Sequence, residues 1–408
     1  MKKNIKIVSA AGIGNILEFY DFTLYGAFAA VLASQFFPSQ DPLTSLLSTF
    51  GVFAIGFFVR PFGSLLFGYI GDKYGRKKAL TWSVALMSIP TLLIALTPTY
   101  NMVGVYAPIF LTLCRVLQGL CAGGEFMGSA VFTLEHMLPK KRGLVGGILI
   151  FTCVGGAMLA SVVAKILNGL DLPDWKWRLA FLFGAFIGVI GMYIRKSLNE
   201  TEAFKELEEK AQLSQNPVAN IFKFHRKSLF AMITVGGLNG ATIYTLFGYS
   251  VSYLIKVAGV DASMAYSASI VGLLTLMFCA PLFGYVADRY NPRSVMLVGA
   301  LGVLSVAYTY YSGLLSQDPC ILLASQALLG LFAGMYVGPQ HLFSFNLFPT
   351  KDRMTGMSIG YALGMAFIGG TTPLISTYLI SETGLAVAPS MWLGFVAILA
   401  LIANRVVK

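Results

Sequence analysis

Charge is what this chain has least of. Asp, Glu, Lys and Arg fill 12% of its 408 positions, about half the share that coats a soluble domain, and the polar shell of a folded protein thins only slowly with size. A water-exposed globule this large is therefore excluded. Histidine is scarce, with three in all, and none forms the paired spacing of a zinc-binding helix. The five cysteines, Cys114, Cys121, Cys153, Cys279 and Cys320, are scattered through apolar segments without the spacing of a metal or redox pair, and read as small core residues. Also missing are a Gly-rich Lys-Ser/Thr nucleotide loop, a phosphorylatable Asp-Lys-Thr and any polar stretch long enough for a catalytic domain. ATP-driven pumping and membrane enzymology lose their machinery, and no cofactor or metal is expected.

In place of charge there is apolar sequence: 56% hydrophobic residues, 13% aromatics and 43 glycines, with a mean hydropathy of +0.74. Glycine and interfacial aromatics are both frequent in membrane helices. Apolar segments fall near 12–37, 46–70, 79–97, 103–134, 144–169, 178–195, 228–256, 264–287, 294–313, 320–347, 354–380 and 387–404. Each is long enough to cross a hydrocarbon core of about 30 Å. The expectation is an all-α membrane protein of twelve transmembrane helices in the lipid bilayer. The first segment is too long, and too polar at Glu18, Tyr20 and Asp21, for a cleaved signal peptide.

The net charge of +11 would suit nucleic acid if it were clustered on a soluble face. Instead, with the amino terminus placed in the cytoplasm, 23 of the 29 Lys and Arg fall in cytoplasmic segments. Lys165, Lys176, Arg178 and Lys256 fall outside, and Arg60 and Arg115 lie within spans. The positive-inside rule then puts both ends in the cytoplasm, as an even number of spans requires, and removes nucleic acid as a partner. The one long polar stretch, 196–227, separates two sets of six spans, 1–195 and 228–408. Within it Asn199 to Glu202 has capping-box spacing, and Phe204, Leu207 and Ala211 recur at helical intervals, as in a short surface helix.

The two sets repeat. Gly68-Tyr-Ile-Gly-Asp72-Lys73-Tyr-Gly75-Arg76 after the second span matches Gly284-Tyr-Val-Ala-Asp288-Arg289-Tyr-Asn291-Pro292-Arg293 after the eighth. Pro139-Lys-Lys-Arg142 parallels Pro349-Thr-Lys-Asp-Arg353. Pseudo-symmetric six-helix halves point to a transporter with a midplane site exposed to each side in turn. In the loop, Gly68 allows close helix approach, Gly75 a tight turn, and Asp72 a pair with a basic group at a neighbouring helix end. Lys73, Arg76, Lys77, Arg142, Asp288, Arg289 and Arg353 complete the expected conformational gate.

This loop resembles the cytoplasmic motif of the major facilitator superfamily, with a degenerate second copy. Gly14-Asn15-Ile-Leu-Glu18-Phe19-Tyr20-Asp21-Phe22, Arg60-Pro61-Phe-Gly63, Arg115-Val-Leu-Gln118-Gly119, Gly123-Gly124-Glu125 and Phe348-Pro349-Thr further resemble its metabolite:proton symporter family. The resemblance runs over nearly the whole chain. It implies the major facilitator fold and proton-driven import of a small organic acid or zwitterion across a bacterial-type cytoplasmic membrane. A single chain is expected to be the working unit. Two features depart from the pattern. Asn346 stands where an acidic residue is usual before Phe-Pro-Thr, and, as the sequence stops at Lys408 soon after the last span, osmotic activation through the carboxy-terminal coiled coil of some osmosensing members is not expected.

Charges at membrane depth are costly and are normally paired, hydrated or functional. In the first span Asn15, Glu18 and Tyr25, with Asp21 close by, form a polar stripe, and Arg115, Gln118 and Glu125 form another in the fourth. The stripes are expected to face one another across a cavity. Asp21 or Glu125, with Glu18 third, would carry the proton, and Arg115 would take a substrate carboxylate, freeing the carboxylate it had held to bind a proton. Residue counting puts the three carboxylates at similar depth, as a shared acidic site, with Arg115 further out; a static bridge between the two spans is the structural alternative. Arg60, beside Pro61 at a proline-linked kink, reads as a snorkelling or loop-bracing residue, with a substrate contact as the alternative.

The second half offers neutral groups. Asn239, Thr242, Ser250 and Tyr253 lie near one face of the seventh span, and Gln326, Tyr336 and Gln340 near one face of the tenth. Asn239, Tyr336 and Gln340 are the substrate-contact candidates here, beside Arg115, Gln118, Tyr25 and Asn15, and packing serves each of them equally well. His341 reads as a satisfied interhelical histidine. The fifth span lacks the Gly-Pro signature of drug antiporters, which favours symport. With no second cavity cation evident, a zwitterion such as proline or betaine is expected ahead of a mono- or dicarboxylate. An uncoupled facilitator is the remaining rival.

Overall fold

Helix ends follow ordinary capping chemistry. In the computed structural model, which describes residues 2–40, 42–170, 173, 175–316 and 318–406, Asn291 accepts from the Arg293 backbone N–H (2.9 Å) and Asp318 from that of Cys320 (2.8 Å). Each of these caps is followed by a proline in the first turn, Pro292 and Pro319, where its missing N–H costs nothing. The described residues contain helices and no strand.

Eleven helices among the described residues are long and apolar enough to cross a bilayer, and a bent pair brings the number to twelve. The first span is that pair, Asn4–Ala27 and Ala29–Phe36, which meet at 66°. The second to sixth are Gly51–Tyr74, Arg76–Leu96, Tyr106–His136, Pro139–Gly169 and Lys176–Lys196. The seventh to twelfth are Arg226–Lys256, Ala262–Arg289, Pro292–Leu314, Pro319–Leu347, Thr350–Thr383 and Pro389–Val406. All twelve apolar segments of the sequence are accounted for. Large apolar side chains stand on the outer surface, Tyr193 at 77% exposure and Leu374 at 71%. Surfaces of that kind suit lipid.

Two compact units emerge, residues 1–136 with 152–217 and residues 137–151 with 218–408. The fifth helix is thus shared, its first turns belonging to the second unit. Within the first unit the second span packs on the fourth, the third on the fourth and sixth, and the first on the sixth. Within the second unit the eighth packs on the tenth, the ninth on the tenth and twelfth, and the seventh on the twelfth. The same pairing scheme six spans on is the structural form of the sequence repeat.

Glycine sets the closest approaches. A side chain at Gly119 would overlap the Gly56 carbonyl, and one at Gly123 would overlap that of Arg60, so the second and fourth spans touch backbone to backbone. In the second unit Gly330 has the same relation to Gly272. Gly75 takes φ +117°, which L residues rarely adopt, and turns the second span into the third.

In the connector the surface helix runs Glu202–Glu209, with Thr201 as its cap, accepting from the Phe204 N–H at 3.2 Å. The expected cap at Asn199 is therefore displaced by two residues. Phe204 is buried, and Ala211 lies beyond the helix end.

Candidate functional site

The first unit contains three buried carboxylates in its first and fourth spans, and each has found a different partner. Glu125 of the fourth span is held by Arg195 of the sixth: Arg195 Nη1 donates to Oε2 at 2.9 Å and Nη2 to Oε1. Ser83 of the third span donates to the same carboxylate at 2.5 Å. Arg195 also donates to the carbonyls of Ala10 (3.1 Å) and Leu80 (2.7 Å). Gly14 lies directly beneath, where any Cβ would overlap both partners. Four spans meet at this bridge.

Glu18 faces Arg60, with Nη1 to Oε1 at 3.3 Å. The Arg60 guanidinium lies over the rings of Phe22 (4.1 Å) and Phe57 (4.6 Å). Arg60 does not snorkel, as its place beside Pro61 suggested. Opposite charge and two ring faces hold it inside the helix bundle, its side chain only 11% exposed.

Asp21 accepts from Thr91 Oγ1 of the third span and from Gln118 Nε2 of the fourth at 3.2 Å. Gln118 in turn accepts from Arg115 Nη1 at 2.8 Å. Asp21 and Arg115 are thus joined through an amide. Arg115 is fully buried against the rings of Phe22 (4.6 Å), Tyr25 (4.4 Å) and Phe53 (5.5 Å), and its Nε and Nη2 have no hydrogen-bond partner. Tyr25 donates to the Thr49 carbonyl at 3.2 Å, and Asn15 accepts from Ser129 at 3.0 Å.

The two stripes do come together, but each carboxylate takes partners of its own, with Glu18 and Glu125 still within reach of one another's charge. Three guanidiniums separate the carboxylates into three settings, because each charge at this depth gains most from its own counter-ion. Sequence reasoning missed Arg195, which it counted among the loop charges, and the third-span hydroxyls of Ser83 and Thr91. One signal was present: Gly14, a glycine within the polar stripe, marks the space that the Arg195 pair needs.

The loop motif forms a second network. Asp72 pairs with Arg76 (3.2 Å), and Arg76 with Glu135 (3.4 Å). Arg76 also donates to the Gly71 carbonyl at 2.7 Å and lies against the Phe204 ring. Thr201 donates to Glu135 at 2.6 Å, and Glu200 accepts from the Lys77 backbone N–H at 3.0 Å. The connector therefore seals the motif. Burial pushes the Glu200 carboxyl above its ordinary range, with the Thr201 and Lys77 N–H groups pulling it back. Gly68 is buried, and Lys73 reaches the Tyr69 hydroxyl at 2.5 Å.

In the second unit the copy works differently. Asp288 accepts from the backbone N–H groups of Gly143 (2.6 Å) and Leu144 (2.8 Å), capping the fifth helix. Arg289 reaches Tyr285, as Lys73 reaches Tyr69. Arg142 and Arg353 both lie over the Phe345 ring, at 4.7 and 3.8 Å. Asp352 accepts from Asn220 (3.1 Å) and stands 3.7 Å from His225. Asn239 donates to Gln340 Oε1 (3.0 Å) and to the Tyr361 hydroxyl (2.9 Å). Tyr336 is buried, and His341 Nδ1 lies 3.0 Å from the Gly146 carbonyl.

Repeated six-span units with buried, ion-paired charges in the bundle define a multi-pass membrane transporter. The family model of the Major Facilitator Superfamily matches residues 11–304 and 268–407, and the chain belongs to that superfamily. The proline/betaine transporter of Escherichia coli (strain K12) is 29% identical over 99% of this chain and 83% of its own length. A putative proline/betaine transporter of Staphylococcus aureus (strain COL) is 32% identical over 98% and 87%. The proton:xylose symporter XylE, solved with 6-bromo-6-deoxy-D-glucose bound, shares the fold with a TM-score of 0.78 at 16% identity, over 99% of this chain and 95% of that one.

Proposed function

We propose that the protein is a proton-coupled symporter that imports a small zwitterion such as proline or betaine by alternating access. The halves would be residues 1–195 and 228–408, joined through 196–227, with both termini in the cytoplasm and one chain as the working unit. The Arg115–Gln118–Asp21 chain carries this reading. Arg115 keeps two buried nitrogens, Nε and Nη2, to donate to a substrate carboxylate. When that carboxylate arrives, Arg115 turns toward it and Gln118 follows. Asp21 then loses its indirect link to positive charge and binds a proton more readily. Solute and proton enter together because each makes room for the other.

Glu125 leaves the list of proton carriers in this reading, since bidentate pairing with Arg195 makes it a brace. The names of the relatives support proline or betaine as first solutes to test. A dicarboxylate draws support from the second buried guanidinium, Arg60, yet that group is already paired with Glu18. The test is uptake into proteoliposomes under an imposed pH gradient. Asp21→Asn should abolish accumulation and its sensitivity to a protonophore while sparing solute exchange. Unchanged pH-driven uptake removes Asp21 from the scheme, and wild-type uptake that only equilibrates makes the protein a facilitator.

A further inference from the structure

Glu18, Phe22 and Tyr25 follow one another at helical spacing on the first span, and two guanidiniums converge on that face. Arg60 lies 4.1 Å from the centre of the Phe22 ring and Arg115 lies 4.6 Å from it. The polar atoms around the ring are poorly satisfied. Both oxygens of Glu18 are buried with no hydrogen-bond partner, and the Arg60 contact at 3.3 Å supplies charge without a well-directed N–H. Nε of Arg60 and both Nε and Nη2 of Arg115 are buried and lack partners as well. Buried groups in this state are rare and costly, and their presence calls for a reason.

The orphaned atoms are complementary in kind. Arg115 offers donors for a carboxylate, and Glu18 offers acceptors for N–H groups. The ring faces are less available. Phe22, Tyr25 and Phe53 each carry Arg115 within 5.5 Å of the centroid, and Phe22 and Phe57 carry Arg60. A quaternary ammonium binds through ring faces and has no N–H to give. Here it would meet cations already in place and leave Glu18 unsatisfied.

We infer that Glu18 is the acceptor for the substrate's N–H-bearing ammonium, taken in exchange for Arg60, so that the site selects amino or imino acids over quaternary ammonium solutes and, of the two solutes proposed above, takes proline and not betaine. Arg60 retains the Phe57 ring when it yields. The carboxylate end is held by Arg115, as in the function proposed above, on which this inference rests. A site that hydrogen-bonds a substrate N–H discriminates steeply against analogues lacking it.

The experiment is uptake by proteoliposomes of the full chain along a methylation series: proline with two N–H donors, N-methylproline with one, N,N-dimethylproline with none. Rates at limiting concentration should fall about tenfold or more for each donor lost, the worth of one charge-assisted hydrogen bond. Glu18→Gln should compress the series to within a few-fold, and Glu18→Asp should restore its order in part, a readout that a merely structural role would not move. Dimethylproline carried as well as proline by the wild type overturns the inference without recourse to any variant. So does competition by succinate stronger than that by proline. If the order holds but a protonophore has no effect, the recognition stands and the coupling falls. If no member of the series is carried, both the inference and the zwitterion reading fail.

Discussion

Gly14→Ala tests how tightly the Glu125–Arg195 bridge fixes the first unit. The added methyl would overlap both Arg195 Nη2 and Glu125 Oε1. The first span has little room to retreat, because a Cβ at Gly12 would already stand 3.0 Å from Thr152, and Gly156 is pressed against Ile16. The pair must therefore separate. Breaking a buried, hydrogen-bonded ion pair costs about 3–5 kcal/mol, whereas alanine in place of glycine within a helix recovers about 1 kcal/mol. The expected net loss is about 2–4 kcal/mol by these two figures. In a Glu125→Ala, Arg195→Ala background the obstructing atoms are gone and only the helix gain remains, so the sign should reverse. Denaturant unfolding in mixed micelles, followed by tryptophan fluorescence, measures both differences. An equal cost of Gly14→Ala in the two backgrounds would refute the assignment of the bridge.

Asp288→Ala removes the carboxylate that caps the fifth helix and should cost about 0.5–2 kcal/mol. Hydrogen exchange should quicken at Gly143 and Leu144, and unchanged protection there would show that the cap contributes nothing. Glu200, raised by burial, binds its proton more tightly folded than unfolded. Its contribution to stability is thus full below the ordinary carboxylate range and is lost as pH rises through its raised value. Glu200→Gln should flatten that part of the pH–stability curve in micelles, and an identical curve in wild type and variant counts against the burial argument.

The fold was legible because its signals are local: runs of apolar residues, basic clusters between them and a loop motif that recurs 216 positions on. Phe28, where the first span bends, gave no such signal, since neither proline nor a polar run marks it. The site was legible by position and misread by partner. Asp21, Arg115 and Gln118 stand where a stripe on a helix puts them. Spacing along one helix says nothing of what a neighbouring helix offers. Thr91 and Ser83 look like ordinary span hydroxyls, and Arg195 looks like a positive-inside anchor until the sixth span turns it inward. Arg60 followed the same logic, as the aromatic rings that hold it come from two different spans.

The connector's two anchorages set where the chain could be cut. Its first part is fastened to the first unit through Glu200, Thr201 and Phe204, and its last part to the second through Asn220 and Asp352. Only residues 210–216 lead from one anchorage to the other. Seven residues reach about 25 Å when drawn straight, and the fragment before them still carries residues 137–151, which belong to the second unit. A break within 210–216 should leave two fragments that reassociate when made together. A break at 199–204 should not, because it would unseat the plug from the loop motif.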